Sequence, residues 1–245
     1  MSAVPHYKAN QQGISIITCT NRHNYLNNLF QNYSRQKYAN KELIIIINNN
    51  KIPLSPYLTL AKKHKNIKIF RKPEHQSLGS CLNYAVTKCK YHTIAKFDDD
   101  DYYAPHYLTE SNLTLQRTKA DILGKRAHYM YLLGSKTLIL RFANDEHRTV
   151  THLPGATLVF KRKVFDHVKF PNKNVGEDDL FCSRSRKKGY KVYSASKNNF
   201  VAIRRKNSSK HTWIISDSTL IANHKIIRNI KNYRNFVGRS PKIPL

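Results

Sequence analysis

Only 15 of the 245 residues are acidic, yet four of them stand side by side as Asp98, Asp99, Asp100 and Asp101. Adjacent carboxylates repel, and each costs free energy unless a cation neutralises it. Residues 93–97 read as a strand that leads straight into the cluster. The carboxylates are therefore expected at the carboxyl end of a strand, where open α/β sheets hold their ligands. Carboxylates there suit a hard divalent ion, Mg²⁺ or Mn²⁺, which completes its shell with water and substrate phosphates. An acidic turn with solvated side chains is the plainer reading of the same residues. A second group, Glu177-Asp178-Asp179, follows Gly176 and opens a predicted helix. Acids at that place can simply serve the helix dipole and the free N–H groups of the first turn.

The elements that must position these groups can be read from periodicity. Residues 14–18 are a β-branched strand after Gly13, and 24–36 carries Tyr25, Leu26, Leu29, Phe30 and Tyr33 at helical spacing. Residues 43–47 form a continuous apolar run ending in three asparagines, which predicts a strand buried on both faces. A helix over 52–65, a strand over 67–70, a helix over 78–89 and the strand 93–97 follow. This alternation predicts an open α/β sheet. Further on, the pattern predicts a helix over 107–117, a hairpin over 129–142 around Gly134 and a strand over 156–160. It then predicts a helix over 178–188 stopped by Gly189, and short strands over 191–193 and 200–203. Residues 219–236 read as a basic helix, with Leu220, Ile226, Ile227, Ile230, Tyr233 and Phe236 near one face. No internal repeat or low-complexity linker interrupts the chain. The expectation is an N-terminal segment over 1–12, one α/β domain over 13–215, and a basic amphipathic helix with a tail over 216–245.

Lys and Arg number 43 against the 15 acids, for a net charge of +28. Such a chain attracts polyanions: nucleic acid, an anionic membrane face or phosphate-rich substrates. The basic residues are dispersed, as they would also be on an ordinary solvated surface. A nucleic-acid-binding protein would need a basic stripe with interleaved aromatics. Lys161-Arg162-Lys163 and residues 184–188 are basic, but no RNA or DNA motif surrounds them. That reading also leaves the acidic cluster unexplained, because four carboxylates repel phosphate without a metal. A metal-dependent nuclease or nucleotidyltransferase would use the metal and is the alternative enzyme. No apolar run approaches the ~20 residues of a bilayer span. Residues 1–13 lack the apolar core of a secretory signal. Cys19, Cys81, Cys89 and Cys182 show no paired spacing, so reduced thiols in a cytoplasmic protein are expected.

Five segments in order resemble the inverting family-two nucleotide-sugar glycosyltransferases with the GT-A fold. Residues 14–22, ISIITCTNR, are similar to their first strand and nucleotide loop. Residues 42–50, ELIIIINNN, resemble their second strand, with Asn48 and Asn49 where an Asp pair is usual. Residues 78–85, LGSCLNYA, resemble the helix before the metal motif. Residues 96–105, KFDDDDYYAP, resemble the Asp-x-Asp segment with its trailing proline, and 176–180, GEDDL, the Glu-Asp acceptor-base motif. Arg204-Arg205 followed by His211-Thr212-Trp213 is similar to a bacterial branch that includes spore-maturation glycosyltransferases. The resemblance spans roughly 13–215.

It implies a Rossmann-like mixed sheet flanked by helices, and an Mn²⁺ or Mg²⁺ ion on Asp100 and Asp98, with His211 as a further ligand. It implies a nucleotide-sugar donor, UDP-linked, held by Thr18, Cys19, Thr20, Asn21, Arg22, Asn48, Asn49, Arg71, Gly79, Asn83, Asp98, Asp99, Arg204 and Arg205. Asp178 would be the base that deprotonates the acceptor hydroxyl, with Glu177 and Asp179 beside it and the role open between Asp178 and Asp179. The acceptor would be a glycan, a lipid-linked sugar or a protein. Trp213 would stack on an acceptor sugar or pack in the core. The basic segment 219–236 could dock on the sheet, on a second copy as a homodimer, or weakly on an anionic membrane, and docking is the expected state.

Overall fold

A computed structural model describes residues 13–206 and 215–240 of the chain. His211 and Trp213 lie outside the described residues. The chain opens with strand β1 (Ile14–Thr20), a 3-10 turn (His23–Tyr25) and helix α1 (Leu26–Ser34). Strand β2 (Lys41–Ile47), helix α2 (Ser55–Ala61), strand β3 (Ile67–Arg71), helix α3 (Leu78–Lys88) and strand β4 (Thr93–Lys96) follow. Next come β5 (Tyr102–Tyr103), α4 (Tyr107–Thr118), β6 (Ile122–Gly124), β7 (His128–Leu132), β8 (Thr137–Arg141) and β9 (Arg148–Thr149). A 3-10 turn (Gly155–Thr157), β10 (Val159–Lys161), α5 (Arg162–His167), α6 (Glu177–Lys187), β11 (Val192–Ser194) and β12 (Phe200–Arg204) continue the domain. The last elements are α7 (Asp217–Ala222), β13 (Lys225–Ile227) and α8 (Tyr233–Val237).

The main sheet has eight strands in the order β3-β2-β1-β4-β10-β6-β11-β9, parallel from β3 to β4 and mixed beyond it. Residues 14, 16, 43, 45 and 47 pack on α1, while 17, 44 and 46 pack on α3 and α6. Both faces are covered, which explains why β2 reads as unbroken isoleucine rather than alternating. The order 3-2-1-4 reverses direction between β1 and β4, so their carboxyl ends open a crevice at the switch point. A second sheet, β13-β8-β7-β12-β5, lies across that crevice. Its strand β5 is antiparallel to β12 and begins immediately after Asp101, so the acidic loop is the hinge between the two sheets. The mixed α/β domain flanked by helices that the sequence implied is the fold observed.

Several elements differ from expectation. The helix over 52–65 is confined to Ser55–Ala61, after Pro53 delays its start. The strand over 156–160 begins as a 3-10 turn, because the backbone N–H groups of Thr157 and Leu158 bond back to Pro154 and Gly155. The helix over 219–236 is two short helices around strand β13. Asn223 caps α7, Asn229 takes a left-handed φ of 59°, and the β-branched Ile226 and Ile227 pair with Ile139 and Leu138 of β8. Propensity for sheet wins there because an edge strand was available to pair with. Leu220 and Val237 are fully buried on opposite sides of this sheet. All four cysteines are unpaired thiols. No helix among the described residues is long and apolar enough to cross a membrane.

Truncation after Ser218 removes β13 and the buried Leu220 and Val237, and leaves β8 as a bare edge open to pairing with another chain. The expected outcome is a lower thermal midpoint and light-scattering aggregates on gel filtration. A truncated chain that stays monomeric and equally stable would show that the segment does not support the sheet.

Candidate active site

The crevice between the sheets holds a cleft of about 730 Å³. Its walls include Cys19, Thr20, Asn21 and Arg22 after β1, Asn48 after β2, all four aspartates after β4, and Arg204 and Arg205 at the end of β12. Nine of the residues that the sequence offered as donor contacts, together with the expected metal ligand Asp100, thus meet on one surface.

The four carboxylates have separate roles in the geometry. Asp99 and Asp101 are buried. Asp99 accepts from the Thr20 hydroxyl at 2.5 Å and from Arg22. Burial and the neighbouring Asp100 raise its carboxyl to about 6, against the pull of Arg22. Asp101 accepts from the Ile203 backbone N–H at 2.8 Å, which ties the loop to β12, and burial pushes its carboxyl well above the usual range. Asp98 and Asp100 are the carboxylates that reach the cleft with solvent contact, at 38% and 16% exposure. One oxygen of Asp98 is held by Lys96, and one oxygen of Asp100 accepts from Arg22 at 2.8 Å.

The loop itself is fixed from below. Asn28 donates to the carbonyls of Asp99 and Asp101 at 2.7 and 2.9 Å, and Asn32 donates to that of Asp101 at 2.8 Å. The Tyr103 hydroxyl accepts from the Asp98 N–H at 2.8 Å and donates to the Ala156 carbonyl, while its ring stacks on Phe97 at 3.7 Å. These bonds satisfy the backbone of a turn whose side chains are all charged.

Among the described residues no three His, Cys, Asp or Glu side chains converge to cage a metal. Two partly exposed carboxylates fit the other mode of Mg²⁺ and Mn²⁺, in which one or two carboxylates share the ion with substrate phosphates and water. Asp98 and Asp100 meet that requirement.

Glu177, Asp178 and Asp179 open α6 as expected, but they do not line the cleft. Asp178 accepts from the Gly155 N–H at 2.6 Å and from the Asp179 N–H at 2.9 Å. Glu177 is buried, and its carboxyl is pushed up to about 7 by burial, against the pull of Lys96 and with the push of Asp178 and Asp98. Lys96 is fully enclosed. Burial alone would lower its pKa, but Asp98, Glu177 and Asp178 together hold it above the ordinary lysine range. One buried ammonium thus stands between the two acidic groups.

The remaining expected donor residues spend their bonds inside the fold. The Thr18 hydroxyl donates to the Phe97 carbonyl at 3.0 Å. Arg71 donates to the Asn50 carbonyl at 2.8 Å and to that of Ile52. Asn83 clamps the backbone of Phe170 through both halves of its amide. The Gly79 N–H bonds the Lys173 carbonyl at 3.0 Å, and a Cβ there would lie 1.8 Å from the Pro171 carbonyl oxygen, so glycine is required for contact with that loop. Asn49 donates to the Asn21 carbonyl at 3.2 Å. Asn48 does reach the cleft, and its amide donates to the Pro73 carbonyl at 2.6 Å. The guanidinium of Arg204 is held by Asp217 and the Ile215 carbonyl, although the residue lines the wall.

Sequence reasoning missed Glu74, Gln76 and Leu78; Asn174, whose side chain accepts from the Leu78 N–H at 2.8 Å; and Met130, Ala202 and Ile203 on the second sheet. Glu74 could have been noticed as an acid in an acid-poor chain. The apolar residues carry no signal, because only the folding of one sheet over the other brings them to the cleft.

Comparison with known proteins agrees with this geometry. Residues 15–170 match Glycosyl transferase family 2. The O-antigen biosynthesis glycosyltransferase WbnJ of Escherichia coli is 29% identical over 164 residues, which is 62% of this chain and 62% of that protein. Among solved structures, S. aureus TarS 1-349 in complex with UDP-GlcNAc superposes with a TM-score of 0.66 at 17% identity, covering 84% of this chain and 62% of that one. The mannosyltransferase PcManGT from Pyrobaculum calidifontis, in complex with GDP-Man and Mn²⁺, gives 0.64 at 14% identity, covering 82% and 58%. The chain therefore spans about three fifths of the length of these relatives, and at such identities the structural matches speak for the fold. On the family match over most of its sheet domain, the chain belongs to glycosyl transferase family 2.

Proposed function

We propose that this protein is a metal-dependent, inverting hexosyltransferase that moves a sugar from a nucleoside diphosphate donor, UDP-linked, to a hydroxyl of a bacterial surface or spore glycan. The observation that carries the reading is the cleft at the ends of β1 and β4, where Asp98 and Asp100 offer carboxylate oxygens beside Arg22 and Arg205. The UDP-GlcNAc complex of TarS and the GDP-Man and Mn²⁺ complex of PcManGT support a nucleotide-sugar and a divalent ion at this fold. The name of the O-antigen relative supports a surface-glycan acceptor, free, lipid-linked or on protein.

Asp100 and Asp98 would hold Mn²⁺ or Mg²⁺. When bound, such an ion neutralises the charge that develops on a diphosphate leaving group. Arg205 contributes a second positive charge at the cleft wall. Asn48 and Asn21 are positioned for the nucleoside, at the ends of β2 and β1. Asp178 would take the proton of the acceptor hydroxyl as it attacks the anomeric carbon. Burial raises its carboxyl, bringing the base strength closer to that needed near neutral pH. His211 would add a ligand from the segment that follows Arg205.

Asp100→Ala is expected to abolish the metal-dependent part of UDP affinity by calorimetry while the protein stays folded. Asp178→Asn is expected to keep UDP and Mn²⁺ binding but to lose ~10²-fold or more in turnover. Equal, metal-independent UDP affinity in parent and Asp100→Ala would remove the metal from the reading.

Glu177 gives a pH signature. Its folded carboxyl titrates near 7 against an ordinary 4.5, so the unfolded chain releases the proton first. Stability is therefore lost as pH rises from about 4.5 to about 7. Glu177→Gln cannot ionise. In metal-free urea unfolding it is expected to gain ~3 kcal/mol on the parent between pH 4.5 and 7.5. Parallel stability curves would show that the Glu177 carboxyl is not perturbed.

Lys225, Arg228, Lys231 and Arg234 are exposed around β13 and α8, and no acid follows Asp217 in the chain. We assign this face a weak contact with the cytoplasmic leaflet, where each basic residue contributes ~1 kcal/mol. Co-sedimentation with anionic vesicles is expected at low salt and lost at high salt. No sedimentation at low salt would reject it.

A further inference from the structure

Arg22 is the second residue after β1, and it pairs with two carboxylates of the acidic cluster. Its Nη1 donates to Asp100 Oδ2 at 2.8 Å, and its Nη2 donates to Asp99 Oδ1. The guanidinium lies 4.5 Å over the ring of Tyr25. The residue is 30% exposed and lines the cleft, whereas its partner Asp99 is 2% exposed.

We infer that Arg22 is a resident cation parked on the metal-binding carboxylate, which a divalent ion displaces from Asp100 and which then pairs with the diphosphate of the donor. The inference rests on the reading of this cleft as a nucleotide-sugar site. Its physical basis is charge. Four carboxylates stand together, and among the described residues Lys96 and Arg22 form ion pairs with three of them. Lys96 is enclosed and cannot leave. Arg22 is partly solvated and occupies one oxygen of the carboxylate that a cleft-bound ion would use. A guanidinium and a divalent ion on one carboxylate repel at such short range, so binding of the ion weakens the Arg22–Asp100 bond.

The route out is short. The flat guanidinium rests on the Tyr25 ring, a surface over which it can turn without losing its stacking contact. Arg205 lines the same cleft as Arg22. A diphosphate entering there meets planar donors suited to its oxygens. The device also answers a problem of order. A dianion would be repelled by the cluster before the metal arrives, and by parking on Asp100 the arginine keeps the empty site neutral enough to persist.

The test uses the full chain, Mn²⁺ alone and UDP as probes. Arg22→Gln is expected to bind Mn²⁺ ~10-fold tighter without nucleotide, because no side chain has to be displaced. At saturating Mn²⁺ it is expected to bind UDP ~10-fold more weakly, because a charge-assisted contact is gone. These shifts have opposite signs, which a residue that merely props Asp99 would not produce. Arg22→Lys keeps the positive charge beside Asp99 in case the glutamine variant unfolds. It lacks the fork that spans two carboxylates, and is expected to tighten Mn²⁺ while losing part of the UDP affinity. Mn²⁺ affinity that is unchanged or weaker in the folded variants would overturn the displacement. Unchanged UDP affinity at saturating Mn²⁺ would overturn the transfer to the diphosphate. A parent protein that binds neither Mn²⁺ nor UDP would refute the underlying reading of the cleft instead.

Discussion

The structure is organised around the repulsion among four consecutive carboxylates. Asp98, Asp99, Asp100 and Asp101 could not share a partly desolvated turn unless each were compensated. The compensation comes from four different parts of the chain. Lys96 lies on β4 itself, Arg22 and Thr20 are at the end of β1, and the Ile203 N–H comes from the second sheet. Asn28 and Asn32 from α1 take up the carbonyls beneath. Each of these groups must be in place for the turn to hold its shape, so the turn specifies how α1, the main sheet and the second sheet come together. A buried carboxylate such as Asp101 is costly by itself. Its bond to Ile203 makes it a register pin between β5 and β12 rather than a ligand.

The same constraint divides labour within the motif. Burial and hydrogen bonding consume Asp99 and Asp101, which leaves Asp98 and Asp100 as the pair with solvent contact. The four side chains alternate in burial along the loop, which bends over residues 99–101. An Asp-x-Asp pattern at a strand end thus becomes two outward carboxylates supported by two inward ones.

Much of this was legible in the sequence because burial on both faces leaves a plain mark. The isoleucines of β2, the spacing of Leu26, Leu29, Phe30 and Tyr33 on α1, and the acids at the start of α6 all appeared where the pattern put them. Two-residue strands such as β5 and β9 leave no periodicity to detect. The segment 219–236 misled because Leu220, Ile226, Ile230 and Phe236 fall near one helical face. Its asparagines and β-branched pair decide otherwise once β8 offers an edge. Within the site, Thr18, Arg71, Gly79 and Asn83 are of the right type for donor contacts, yet each is committed to backbone within the fold. Residue type cannot separate a side chain that holds a loop from one that holds a ligand. That distinction appears only when partners are known, as Arg204 illustrates: it lines the cleft, yet its guanidinium is held by Asp217.

Lys96 links the two halves of the proposed chemistry. Its ammonium is buried, pairs with Asp98 and is felt by Glu177 and Asp178 on α6. A buried ammonium needs nearby negative charge to remain ionised, and here three carboxylates supply it. Any cation that binds Asp98 draws charge away from Lys96 and increases its demand on Glu177 and Asp178. Protonation of that pair would in turn leave Lys96 more dependent on Asp98. The donor end and the acceptor end of the site thus share one ammonium, and the charge state of each enters the energetics of the other through a single side chain on β4.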